Sequence, residues 1–274
     1  CGAMYNPEHS IEEQVINETE FVNDIAAMSN SGLYGKTKIA EGIVGSAPLL
    51  LGDKVANILD KHISVAPKRF KGIRSQAAMH PDGTIPSTRA RPIEGVYIND
   101  MFHQGFSHLE ARNLSFEAWC YHPQLPQLIK LANKFPNTSI ILNHFGGPLG
   151  IGSFLNKEEE TYSFWEKQIT ELSKCENVTA KLGGIAMEIN GFNWHKNKIA
   201  PSGQDLINRT KRYYEKTIEV FGVDRCMFES NFPVDKISCS YVNLWNGFKL
   251  LTKDYSVNER AKLFHDNANR IYKL

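Results

Sequence analysis

The 274-residue sequence has no Cys-x-x-Cys spacing, and its five cysteines (Cys1, Cys120, Cys175, Cys226 and Cys239) are odd in number and scattered. Neither a disulfide framework nor a structural zinc site is suggested, and a reducing cytoplasm is the expected home. An excess of one charge sign is also missing. The 31 basic and 30 acidic residues leave a formal net charge of +1, with both signs mixed along the chain. No electrostatic footprint exists for nucleic acid or for an anionic membrane surface, so neither partner is expected. No apolar run is long enough to span a bilayer, and no signal-peptide pattern or low-complexity segment occurs. The Gly-x-Gly-x-x-Gly turn of dinucleotide-binding sheets is absent, as is any His-x-His pair.

What is present is enough apolar sequence for a large core: 42% hydrophobic residues against 22% charged ones, which fits one domain over 1–274 better than two small ones. Apolar residues alternate between helical and strand periods. Helices are expected from Asn17, where Asn17-Glu18-Thr19-Glu20 resembles a capped start, from Asp53 to Pro67, and over Gln124–Phe135, Ser163–Cys175, Leu206–Phe221 and Tyr241–Leu250. A last one follows the capping box Ser256-Val257-Asn258-Glu259. Strands are expected at Cys1–Tyr5, Lys38–Ala47, Phe70–Arg74, Ser115–Tyr121, Thr138–His144, Val178–Leu182 and Arg225–Ser230. Residues 75–113, punctuated by Gly and Pro, read as a long functional lid holding His80, His103 and His108 as solvent or packing residues.

Regular alternation of strands and helices calls for a parallel sheet. The opening Cys1-Gly2-Ala3-Met4-Tyr5 has no initiator methionine and reads as the middle of a strand, which suggests an N-terminally truncated chain. Seven strands with one lost before Cys1 make an α/β fold, a (β/α)8 TIM barrel lacking its first strand, with a doubly wound open sheet as the alternative.

Strand alternation then assigns inward side chains. Arg74 and Lys181 would share the lumen with Glu41, Glu117 and Glu229 in an ion-pair network, with Arg74 and Lys181 near the mouth as anion binders. His144, counted inward with Leu142 and Ile140, ends an apolar run before Gly146-Gly147-Pro148 and is the leading candidate for chemistry. It could polarise a carbonyl, shuttle a proton or bind a metal. The segment Arg225–Asp235 combines an apolar strand, a polar tip at Ser230-Asn231 and a proline stop, the place where a barrel keeps its site.

Asn143-His144-Phe145-Gly146-Gly147-Pro148, Lys181-Leu182-Gly183-Gly184 and Met227-Phe228-Glu229-Ser230-Asn231-Phe232-Pro233 together resemble the amidohydrolase-related metal-dependent hydrolases, in the branch of sugar-lactone and pyrone-dicarboxylate lactonases. Gly72-Ile73-Arg74 and Trp119-Cys120-Tyr121-His122-Pro123-Gln124 look like that branch as well. The resemblance implies a TIM barrel that opens a lactone, or a related ester or amide, with water. It implies that His144 polarises the carbonyl and that Arg74, Trp119, Tyr121, His122 and Lys181 hold a small anionic substrate. Asn231 falls where the family has the aspartate that activates water. An amide cannot take that role, so Glu229 or Asp235 becomes the alternative base. With Asn231 in that place and no His-x-His, no metal and no cofactor are expected in this chain. A metal-dependent decarboxylase of aromatic acids and a non-catalytic carboxylate-binding barrel are the competing functions.

Overall fold

The computed structural model of the protein describes residues 8–87 and 93–274, with nothing said of the side chains of residues 11, 12 and 76. Six strands form one parallel sheet in sequential order: β1 (Ile43–Gly45), β2 (Phe70–Gln76), β3 (Ser115–Trp119), β4 (Ile140–Leu142), β5 (Val178–Leu182) and β6 (Cys226–Phe228). They match six of the seven expected strands, and the expected strand at Cys1–Tyr5 lies outside the described residues. Each strand pairs with the next one in sequence. A doubly wound sheet reverses its strand order partway, so unbroken sequential order identifies the architecture as that of a TIM barrel.

The helices are α1 (Ile11–Asn30), α2 (Val55–Val65), α3 (Asp100–Phe106), α4 (His108–Ala111), α5 (Leu125–Lys134), α6 (Glu158–Ser173), α7 (Gly203–Phe221), α8 (Tyr241–Leu251), α9 (Val257–Ala261) and α10 (Asn267–Tyr272). Their starts follow capping chemistry. Ser202 and Asp205 box the start of α7, and Ser256 and Glu259 box that of α9. The first helix begins earlier than Asn17, because Ser10 and Glu13 supply the same reciprocal cap upstream. Starting there adds Val15 and Ile16 to the core. α3 forms inside the stretch expected to be a lid, started by Asn99, whose side chain accepts from Phe102 N–H. No helix among the described residues is long and apolar enough to cross a membrane.

The period of two sorts each strand. Phe116 and Ala118, Ile140 and Leu142, Val178, Ala180 and Leu182, and Cys226 and Phe228 all join the main apolar core with residues of the surrounding helices. The alternate residues Glu117, Ile141, Thr179, Lys181 and Met227 stay outside it and face the lumen. Ile140 and Leu142 therefore pack outward, the reverse of the expected parity for β4. Glu41 also departs from expectation: it accepts from Asn30 at the surface, 3.2 Å away, and does not reach the lumen.

β1 and β6 are not hydrogen-bonded to one another among the described residues. The C-terminal segment lies against both. Asn267 donates to the Cys226 carbonyl of β6 at 2.8 Å, and Leu274 sits where a Cβ on Gly42, just before β1, would meet it at 2.8 Å.

Candidate active site

His144 lies two residues past the end of β4, and its backbone adopts a left-handed conformation (φ 52°), followed by Phe145 at φ 58°. This is why the strand parity fails for it: the chain has already left the strand and turns the imidazole back over the lumen. Left-handed backbone is uncommon for a non-glycine residue and persists only where surroundings impose it, which marks functional tips. The ring is almost wholly buried, with its side chain 4% exposed.

Three groups meet the imidazole. Arg74, from the carboxyl half of β2, places Nη2 2.6 Å from His144 Nε2. Glu229, just past β6, places Oε1 2.6 Å from His144 Nδ1, although the two atoms are not aligned as a regular hydrogen bond. The Trp119 indole stands edge-on to the ring at 4.9 Å. A guanidinium only donates, so Nε2 must carry the lone pair and Nδ1 the proton that faces Glu229.

Below this trio the charges alternate. Lys181 Nζ lies 3.7 Å from Glu229 Oε2 and 2.7 Å from Glu117 Oε1. Burial alone would raise the Glu229 carboxyl, but His144, Lys181 and Arg74 outweigh it and hold it at about 2. Glu117 is likewise pulled below the usual carboxylate range, with burial overcome chiefly by Lys181. The expected lumen network therefore forms, without Glu41, and Lys181 is committed to two carboxylates at its centre instead of waiting at the mouth for an anion.

The tip after β6 holds the second group. Asn231 is also left-handed, at φ 52°, and its Nδ2 donates to Asp235 Oδ1 at 2.7 Å. Asp235, which could have faced solvent, is fully buried with Oδ2 unpaired among the described residues. Burial pushes its carboxyl up to about 7, against the opposing pull of the Asn231 amide.

Tyr121 and His122 diverge. The Tyr121 hydroxyl donates to the Pro86 carbonyl, and its ring joins Trp119, Ala78, Ile85, Leu149 and Ile189 in an apolar cap drawn from several strand-end loops. His122 accepts from Leu149 N–H at 3.2 Å and packs its ring against Phe154 and Phe164, away from His144. Burial lowers its pKa to about 4, which keeps it neutral. The lid histidines pack locally: His103 with the Tyr97 carbonyl, His108 with Asp53 and His80 with Phe154.

Two features escaped sequence reasoning. Asn143 is fully buried beside His144 with both amide atoms unpaired among the described residues, and its only sequence signal is its place in the Asn143-His144 dipeptide. Gly184 permits the imidazole to sit where it does. A Cβ there would lie 2.4 Å from His144 Nδ1, and its φ of +74° disfavours any side chain. The Gly183-Gly184 pair after β5 was the available signal.

A family profile described as Amidohydrolase matches residues 32–274 of this chain. An uncharacterized protein of Sinorhizobium fredii is 36% identical over 250 residues, covering 89% of this chain and 73% of that protein. The L-fucono-1,5-lactonase of Burkholderia multivorans is 24% identical over 179 residues, 63% of this chain and 56% of that protein. Among solved structures, an amidohydrolase from Burkholderia multivorans with bound zinc superposes with a TM-score of 0.75 at 20% identity, over 94% of this chain and 79% of that one. A probable 2-pyrone-4,6-dicarboxylic acid hydrolase from Acinetobacter baumannii with citric acid bound gives 0.59 at 12% identity, over 98% and 82%. A dihydroxybenzoic acid decarboxylase from a Polaromonas species, with manganese and an inhibitor, gives 0.58 at 15%, over 96% and 76%.

The zinc and manganese in these neighbours overturn the expectation that no cofactor is involved. Among the described residues, however, no group of three or more His, Cys, Asp or Glu side chains is arranged to hold an ion. The imidazole of His144 is moreover flanked by the guanidinium of Arg74. The described side chains do not by themselves fit a divalent ion.

Two outcomes follow from this geometry. Gly184→Ala should push the His144 ring off Glu229 and destabilise the fold by about 1–3 kcal/mol, read by urea denaturation together with the ring ¹⁵N shifts of His144. Unmoved ring signals would show that the ring is not held by this contact. Asp235 ionises at 3.8 in the reference state and at about 7 when folded, so between these values the folded chain keeps a proton the unfolded chain has lost. Stability should therefore fall as pH rises from about 4 to about 7. Asp235→Asn should gain stability over the parent across that window and hold the gain above it. Parallel stability curves for the two proteins would refute the raised value.

Proposed function

The chain belongs to the amidohydrolase family, and from that premise we propose that it is a hydrolase opening a small lactone or related carboxylated cyclic ester by attack of water on the ring carbonyl. The observation that bears the reading is the His144–Glu229 dyad, capped by Arg74 at the carboxyl end of the sheet. The lactonase names of the Burkholderia relatives and the pyrone-dicarboxylic acid hydrolase fold support the same class.

In this reading the carboxylate of the substrate draws Arg74 off Nε2, because a guanidinium prefers a carboxylate fork to a neutral imidazole. The freed lone pair takes a proton from water while Asn231 orients it. The incipient hydroxide adds to the carbonyl carbon. Glu229, held ionised by its cationic neighbours, stabilises the imidazolium. Collapse breaks the ring C–O bond, and the leaving oxygen takes the proton back from Nε2, giving a hydroxy acid. His144 thus serves as base through Nε2, rather than as the carbonyl polariser first expected, because the lone pair is what Arg74 faces. Lys181 sets the field under the dyad, and Trp119 and Tyr121 supply the apolar wall.

Against a panel of sugar 1,5-lactones and carboxylated lactones, His144→Asn should lower kcat by roughly 100-fold or more, with Glu229→Gln lowering it less. Turnover unchanged in His144→Asn would sink the assignment. Release of carbon dioxide from hydroxylated benzoates would select the decarboxylase reading instead, and saturable carboxylate binding without any turnover would select the non-catalytic one. The neighbours' ions also lead us to expect that dialysis against a chelator lowers turnover and that zinc or manganese restores it. Activity indifferent to chelation would leave the side chains named above to act alone.

A further inference from the structure

The charge chain does not end at Glu117. Tyr272, the last residue of α10, donates its hydroxyl to Glu117 Oε1, the oxygen that also receives Lys181. The Lys181 ammonium stands 5.4 Å from the centre of the Tyr272 ring. The segment bearing this tyrosine is tied down on several sides. Lys71 donates to the Lys273 carbonyl at 2.9 Å, Lys273 donates to Asn113 at 2.6 Å, and Leu274 N–H returns to Asn269. Nothing in the proposed reaction uses Tyr272, yet a phenol has been brought to a buried carboxylate far from its own helix cap.

We infer that Tyr272 is a positioning residue for His144, acting from the opposite end of the lumen by setting how Lys181 is shared between Glu117 and Glu229.

Lys181 is the pivot, because it is closer to Glu117 than to Glu229, at 2.7 against 3.7 Å. The Tyr272 O–H satisfies part of the charge on Glu117 and so weakens its hold on the ammonium. Burial, and then the adjacent Glu117, raise the phenol well above its usual pKa, so the hydroxyl keeps its proton and remains a donor. Removing that donor should draw Lys181 toward Glu117 and away from Glu229. More of the Glu229 charge would then fall on His144, and the imidazolium would persist to higher pH. Removing the charge of Glu117 should do the opposite, by releasing Lys181 to Glu229. Among the described residues, the charged and titratable groups that face these sites are Arg74 on β2, Glu117 on β3, Lys181 on β5, Tyr214 on α7, Glu229 and Asp235 after β6, and Tyr272 on α10.

This inference rests on reading His144 as the proton-accepting group, but it is tested without turnover. In full-length chain labelled with ¹⁵N-histidine, the ring signals of His144 are followed against pH in the parent, Tyr272→Phe and Glu117→Gln, with thermal melts as a folding control. Tyr272→Phe keeps the ring and its contact with Lys181 and removes only the hydroxyl. The expected result is a midpoint raised by roughly half a pH unit in Tyr272→Phe and lowered by a similar amount in Glu117→Gln. Unmoved midpoints overturn the inference, and so do shifts of the same sign in both variants, which report general loosening. If Tyr272→Phe does not fold, a missing downward shift in Glu117→Gln overturns it alone. Opposite shifts with full turnover in His144→Asn would uphold the coupling and reject His144 as the base. Unmoved midpoints with turnover lost in His144→Asn would do the reverse.

Discussion

Among the described residues, Lys181 is the lumen cation that lies between two carboxylates, Glu117 on one side and Glu229 on the other. Taking three ions out of water is costly, and each becomes tolerable only because its neighbour has the opposite sign. The same arithmetic explains the strands. Residues that alternate with Glu117 and Lys181, such as Phe116, Ala118, Ala180 and Leu182, are apolar and pack under the helices. A sheet that slipped by one residue would drive these charges into that apolar layer, so the ion chain helps to specify register as well as to build a site. Removing one member while leaving its partner buried costs about 3–5 kcal/mol in comparable pairs. Fold and chemistry therefore share a single interaction, and neither can be altered alone.

The strand tips convert that buried chain into an accessible one. His144, Phe145 and Asn231 all adopt left-handed backbone within a few residues of the ends of β4 and β6. These conformations cost of the order of 1 kcal/mol or more each, and the packed barrel beneath sustains them. Phe145 illustrates the support: its side chain is fully buried against Tyr214, and its carbonyl accepts from the Trp165 indole at 2.7 Å. The turn that strains the backbone is thus fastened on its outer side by aromatic packing, while its inner side presents the imidazole. Gly184 completes the fit from β5 by leaving out the one carbon that would collide with the ring.

Periodic features were legible in the sequence and singular ones were not. The period of two on β2, β3 and β5 placed Arg74, Glu117 and Lys181 in the lumen, because these residues lie inside real strands. The same rule failed on β4, where Ile140 and Leu142 pack outward although His144 reaches the lumen, since β4 ends at Leu142 and strand parity has no meaning beyond it. Glu41 failed likewise, for it stands before β1 begins. The depth of Asp235 could not be read because a residue after a proline looks like a turn, and only packing against its surroundings buries it. Tyr272 was invisible for a different reason. Its partner Glu117 is 155 residues away, and no local pattern announces a contact between the C-terminal segment and a strand in the middle of the sheet. α3 was hidden by the glycines and prolines that surround it, although its Asn99 cap was present.

The resemblance puts Asn231 where an aspartate would activate water, and the hydrogen bonds bear on how the proposed reaction proceeds without that carboxylate. A general base must hold a lone pair on a group whose pKa lies near working pH. Glu229 is ionised but stabilised too far below that range to take a proton readily. Asp235 has a suitable value, yet it is fully buried behind Asn231. Asp235 Oδ1 accepts the amide N–H of Asn231, which leaves the amide oxygen as the free face. That oxygen can accept one hydrogen of a water molecule but cannot keep a proton, so the second hydrogen must be taken elsewhere. In the proposed reaction it goes to His144 Nε2, the ring nitrogen that faces the Arg74 guanidinium and so carries the lone pair. In the proposed reaction, orientation and proton transfer, which one carboxylate could perform together, are divided between an amide that donates to Asp235 and an imidazole set against Glu229.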